Sequence, residues 1–166
     1  MKVEISTTMG NIHLELDQEK APKTIENFKA YIDSRHYEGT IFHRVIEDFM
    51  IQGGGLDADM NTKTTMDSIE NEADNGLSNL EGTVAMARTV EPHSASSQFF
   101  INTTDNAFLD HRSKTEDGWG YCVFGKVVDG MDIVEKIEET STTSRSGYQD
   151  VPEEVILIEK IKILSE

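Results

Sequence analysis

The stretch from Phe42 to Gly55 reads FHRVIEDFMIQGGG and sets one arginine, Arg44, among aromatic, thioether and amide side chains just ahead of three glycines. A guanidinium beside Phe49, Met50 and Gln52 can donate hydrogen bonds to an amide while the apolar groups hold an adjoining ring. A second stretch, GTVAMARTVEPHSASSQFFINTTDNAFLD from Gly82 to Asp110, adds aromatics and a glutamine, again with few groups able to act as nucleophile or base. Both stretches point to binding chemistry in which no covalent bond is broken.

Other chemistries find less in the chain. The histidines at 13, 36, 43, 93 and 111 form no HxxxH, HxH or HExxH, and one cysteine offers no cluster, so no metal site is expected. Ser94, Ser96 and Ser97 lie near His93 without a GxSxG elbow. Gly53, Gly54 and Gly55 are not followed by GK[ST], and a turn or a close backbone approach explains them better than a phosphate loop. Met50 and Met86 are ordinary core filler unless a pocket claims one of them.

These side chains need a frame. Val3 and Ile5, then Ile12, Leu14 and Leu16, alternate on either side of a Thr-Thr-Met-Gly-Asn turn and predict a hairpin. From Pro22 the period changes: Ile25, Phe28, Tyr31 and Ile32 share one helical face, predicting a helix that ends near Arg35. TIFHRVI and FMIQGG read as two strands around Glu47-Asp48, with strict alternation placing Phe42, Arg44 and Ile46 on one face and His43 and Val45 on the other. Gly54 to Leu80 reads as a long polar surface excursion. Strands resume at GTVAMA, SQFFIN and GYCVFGKVV, and Phe99 and Phe100, being adjacent, must face opposite sides of theirs. Met131 to Glu139 predicts a second helix, STTSRSGYQDVP a loop, and Val155 to Leu164 a closing strand that pairs with the first. Short strands, two separated helices and no βαβ rhythm predict a mainly β fold, a closed antiparallel barrel with helices over its ends, in a single domain over residues 1–166.

Composition narrows the partners. Fifteen Lys and Arg against 31 Asp and Glu leave a net charge of −16, which disfavours nucleic acid and anionic membranes. The lone Cys122 excludes an internal disulfide and sits among apolar neighbours, as a buried strand residue would. The N-terminus alternates and carries charges, unlike a signal peptide, and no run reaches membrane-span length, so a cytoplasmic protein is expected. With no exposed apolar stripe in evidence, a monomer is the default.

FHRVI, FMIQGG, GTVAMA, SQFFIN, AFLD and VFGKVVDGMDIVEKI, in this order, resemble the cyclophilins, the family of peptidyl-prolyl cis-trans isomerases, and most closely its bacterial cytosolic branch. The resemblance runs from the first strand to the last. It implies an eight-stranded antiparallel barrel capped by two helices, no cofactor and no metal. It also implies an enzyme that speeds rotation about Xaa-Pro bonds of peptides and protein clients, assisting folding. Carried over by position, the catalytic arginine is Arg44, the proline pocket Phe49, Met50, Phe100 and Leu109, and the substrate-binding glutamine Gln52. Ala87, Arg88 and Thr89 occupy a segment whose backbone pairs with an extended peptide, and His43 matches a position near the site.

Some positions depart from relatives. Phe108 stands where cyclosporin-sensitive members have tryptophan and Tyr121 where many eukaryotic members have histidine; losing the indole N–H implies weak cyclosporin binding. Arg88 replaces an asparagine, and Glu47-Asp48 replaces a Pro-Gly or Asn-Gly turn. Two rivals belong to other classes: a proline-peptide binding module without turnover, and a metal-dependent hydrolase.

Overall fold

The computed structural model describes residues 1–166. Ten strands form: β1 (Lys2–Thr7), β2 (Gly10–Leu16), β3 (Thr40–Ile46), β4 (Met50–Asp57), β5 (Thr83–Met86), β6 (Phe99–Asn102), β7 (Val123–Asp129), β8 (Thr142–Arg145), β9 (Tyr148–Pro152) and β10 (Leu157–Ser165). Two helices join them, α1 (Pro22–Asp33) and α2 (Met131–Glu138). Eight strands close a barrel in the order β1-β10-β3-β4-β6-β5-β7-β2, every pair antiparallel. Closure is physical economy, since a barrel leaves no unpaired edge.

The barrel is solid. Alternate residues of β1 and β2, Val3, Ile5, Ile12 and Leu14, point inward and are fully buried, as their period-two spacing predicts. Phe28 of α1 plugs one end, its ring 5.3, 5.8 and 5.2 Å from those of Tyr37, Phe99 and Phe124. Removing so buried a ring costs about 3–5 kcal/mol. On α2, Val134 and Ile137 are fully buried.

Pro22 opens α1, but no side chain of its own caps the helix. The cap comes from 48 residues away: Glu72 accepts from the backbone N–H of Thr24 at 2.7 Å and from its hydroxyl at 2.8 Å. A carboxylate at a helix N-terminus satisfies free N–H groups and complements the dipole. The polar excursion thereby holds the helix, and it starts later than its glycines suggest, because β4 runs on to Asp57.

Two further expectations need correction. Strict alternation fails in β3: Phe42 pairs with Gly53 and Arg44 with the very next residue, Gln52, so His43 has no opposite number. This bulge resets the faces. Phe42 and Val45 both enter the barrel core, while Arg44 is exposed on the outside. The segment STTSRSGYQDVP is not an open loop either. It folds into the β8–β9 hairpin, whose Ser146 and Gly147 both have positive φ, 52° and 84°, as a tight two-residue turn between strands demands. Val151 anchors the hairpin in a small apolar cluster with Ile41, Leu56 and Met60.

Candidate functional site

The outer face of the barrel carries a second apolar cluster, in which Met50 of β4, Ala85 of β5, Phe100 of β6 and Val123 of β7 are buried. Phe99 turns into the core and Phe100 outward, dividing the pair as adjacency requires. The two methionines divide similarly, Met86 in the core and Met50 on this face. Phe49, Ala87, Leu109 and Tyr121 pack around the outer cluster.

Above it lies a groove of about 510 Å³ that brings together eleven of the twelve residues singled out from sequence: His43, Arg44, Phe49, Met50, Gln52, Ala87, Arg88, Phe100, Phe108, Leu109 and Tyr121. Thr89 lies outside it, in an adjoining hollow of about 160 Å³ that shares Gln52, Ala87, Arg88 and Gln98 with the groove. Three further residues line the groove. Gln98 belongs to the legible SQFFIN strand run, whereas Tyr148 and Gln149 ride on the hairpin that read as loop.

Arg44 is positioned by a relay. Its Nη1 donates to Gln52 Oε1 at 3.2 Å, and Gln52 Nε2 donates to Gln98 Oε1 at 2.9 Å. The guanidinium carbon stands 6.0 Å from the centre of the Phe49 ring. The glycines permit this arrangement: Gly54 holds φ +93° against Tyr37 and Phe99, and a Cβ on Gly55 would overlap the Gln98 side chain. A charged donor therefore faces an apolar floor at the mouth of the groove.

The ring side of the groove is equally organised. Phe49 and Phe108 stack at 5.8 Å and 24°, and Phe100 meets Tyr121 edge-on at 5.8 Å. Arg88 lies over the Tyr121 ring at 4.5 Å while its Nε donates to Gly120 O at 2.9 Å. Below them runs a buried amide network that sequence reading missed. Asn106 Nδ2 donates to Phe49 O (2.9 Å) and to Asn102 Oδ1 (2.8 Å), and Asn102 Nδ2 donates to Asn79 Oδ1 (3.0 Å). Asp110 Oδ1 then accepts from Asn79 N at 2.7 Å. The network pins the Phe49 turn to the loop that carries Phe108 and Leu109.

His43 is 4% exposed and its Nδ1 has no hydrogen-bond partner. Burial first, and the Arg44 charge second, lower its pKa to about 4, so the ring is neutral at pH 7. Tyr148 meets it edge-on at 5.9 Å. Burial pushes the Cys122 thiol up to about 11, well clear of reactivity. At the Glu47-Asp48 turn, Asp48 holds φ 58°, and its N–H donates to Glu138 Oε2 of α2 at 2.9 Å, tying turn to helix. No three His, Cys, Asp or Glu side chains gather as a metal site, and no helix is long and apolar enough to cross a membrane.

Comparison with known proteins agrees with this architecture. The family model "Cyclophilin type peptidyl-prolyl cis-trans isomerase/CLD" matches residues 2–163. The peptidyl-prolyl cis-trans isomerase cyp18 of Streptomyces antibioticus is 60% identical over 162 residues, covering 98% of each chain. Peptidyl-prolyl cis-trans isomerase B of Escherichia coli (strain K12) is 50% identical over 161 residues, covering 97% of this chain and 98% of that one. A Cryptosporidium parvum cyclophilin-type isomerase, crystallised in the presence of the dipeptide Ala-Pro, superposes with a TM-score of 0.81 at 28% identity, covering both chains completely. With barrel, groove and sequence in agreement, the chain belongs to the cyclophilin-type peptidyl-prolyl cis-trans isomerases, enzymes that speed rotation about Xaa-Pro peptide bonds.

Proposed function

We propose that Arg44 is the catalytic residue of this isomerase and that the groove around it holds proline-containing segments of peptides and protein clients. The observation that carries the reading is the exposed guanidinium, hydrogen-bonded to Gln52 and set beside the Phe49 ring over a buried apolar floor. Phe49, Met50, Phe100 and Leu109 seat the prolyl ring, with Phe108 and Tyr121 completing its wall. Ala87, Arg88 and Thr89 align the chain on one side, and neutral His43 closes the other without adding charge.

The barrier to rotation is about 18–20 kcal/mol because amide resonance must be broken. As the bond twists, the prolyl nitrogen pyramidalises and gains a lone pair. A donor aimed there stabilises the twisted state more than either planar one. An acceleration of about 10⁵ requires about 7 kcal/mol, which a directed charge-assisted bond, ring anchoring and excluded water together supply. No proton is transferred and no cofactor takes part.

Residues 1–166 act as one isomerase domain, working as a cytoplasmic monomer; closure of the eight-stranded barrel, which leaves only the short β8–β9 hairpin with free strand edges, supports the monomer. The test is cis-trans exchange in a short Xaa-Pro peptide followed by NMR. Arg44→Ala is expected to lower the enzymatic exchange rate by about 10²-fold or more, as loss of a preorganised transition-state donor does. Peptide shifts without acceleration by the intact protein would make it a binding module instead.

A further inference from the structure

The groove and its adjoining hollow invert the charge of the protein around them. The chain carries 31 carboxylates, yet neither cavity has an Asp or Glu in its lining, and both are lined by arginine. Arg88 is the cation common to the two. It is held rigidly: Nε donates to Gly120 O at 2.9 Å, Nη1 to Thr89 O at 2.9 Å, and the guanidinium lies over Tyr121. Those contacts consume Nε and Nη1 and leave Nη2 without a protein partner. The relay from Arg44 likewise ends at Gln98 Oε1, so the Nε2 of Gln98 remains available as a donor, and Ser96 adds a hydroxyl to the same hollow.

A fixed guanidinium, an amide N–H and a hydroxyl with no lining carboxylate form an acceptor-binding set, and a carboxylate is the side chain that answers it. The hollow's 160 Å³ is large enough for the side chain of Asp or Glu. Resting on the isomerase reading of the groove, we propose that Arg88 is a specificity-determining residue that favours substrates bearing an acidic side chain near the proline. Two fields oppose each other here. At low salt the overall −16 charge repels an acidic peptide, whereas near 0.15 M that repulsion is screened beyond about 8 Å and contact with Arg88 prevails. The preference for acid should therefore grow as salt rises from about 0.01 to 0.15 M, then fade toward 1 M, where the screening length is about 3 Å.

The experiment compares Glu with Gln at each position flanking proline in a short peptide, reading both kcat/KM by NMR exchange and Kd by titration. At 0.15 M salt one position should favour Glu by about fivefold, the upper range for a partly exposed charge pair. Arg88→Gln should abolish that ratio and Arg88→Lys should keep most of it, a pattern that general loss of structure would not produce. Equal values for Glu and Gln at every position, or a ratio unchanged in Arg88→Gln, would overturn the proposal. Turnover of the Gln peptides reports on the isomerase reading separately, and the Kd ratio decides the role of Arg88 even without turnover.

Discussion

Gly55→Ala is expected to damage the site without damaging the fold. Gly55 lies in β4 outside the positive-φ region, so alanine meets no backbone strain. The three atoms nearest a new Cβ all belong to the Gln98 side chain, a flexible group that can swing aside. Swinging aside breaks the 2.9 Å bond from Gln52, which in turn steadies Arg44. One such bond is worth about 1 kcal/mol, or about fivefold, and a loosened guanidinium adds to the loss, giving an expected fall in kcat/KM of about 5- to 30-fold. Stability should fall by about 0.5–1.5 kcal/mol, because the Gln98 Cγ lies nearest the new Cβ and the whole side chain must turn about χ1, a cost that alanine partly offsets by restricting the unfolded chain. NMR exchange on an Xaa-Pro peptide and urea melts measure the two quantities. The decisive control is a double-mutant cycle: with Gln98→Ala in place the three atoms nearest the Cβ are gone, so adding Gly55→Ala should cost little more. Full activity in Gly55→Ala, or additive losses in the cycle, would refute the relay.

His43 gives a pH signature. Its folded pKa, near 4, lies below the ordinary 6.5, so between those values the unfolded chain binds more protons and stability falls with acidification. The loss reaches about 3 kcal/mol at pH 4, and His43→Phe should lessen the stability difference between pH 7.5 and 4.5 in denaturant melts relative to wild type. His36, its pKa also lowered by burial, adds a change of the same sign in both proteins. Asn102→Ala strips a fully buried node from the amide network and should cost about 2–4 kcal/mol in urea unfolding, through the partners it leaves unpaired. Cyclosporin should bind weakly because Phe108 offers no N–H; Phe108→Trp should tighten it by about tenfold, worth about 1.4 kcal/mol, in a fluorescence titration.

Period-two alternation made β1 and β2 legible because Val3 and Ile5, then Ile12, Leu14 and Leu16, are buried on one face, whereas β10 was legible as an apolar run in which a bulge spaces the buried Ile158 and Ile161 three apart. The same rule misassigned Phe42, since an extra residue in β3 changes the phase and nothing in FHRVI marks where it falls. The β8–β9 hairpin was hidden for a different reason. Thr142, Thr143, Ser144 and Tyr148 are exposed, so no burial pattern is imprinted on their sequence, and only Val151 and Pro152 reach the interior. Tyr148 and Gln149 were lost with it. Arg44, Gln52 and the apolar floor were readable because they sit in two unusual runs. Asn79, Asn102, Asn106 and Asp110 were not, as asparagine in polar loops ordinarily signals a turn and only the folded chain gathers these four.

Because a packed apolar core fills the barrel, the site lies on the outside wall, with Arg44, Phe108 and Tyr148 open to solvent along its rim. Such a trough can be entered sideways. A polypeptide need not be threaded from a free end, nor must any flap lift before it leaves, so a proline midway along a closed loop of an already folded client is as reachable as one in an unfolded tail.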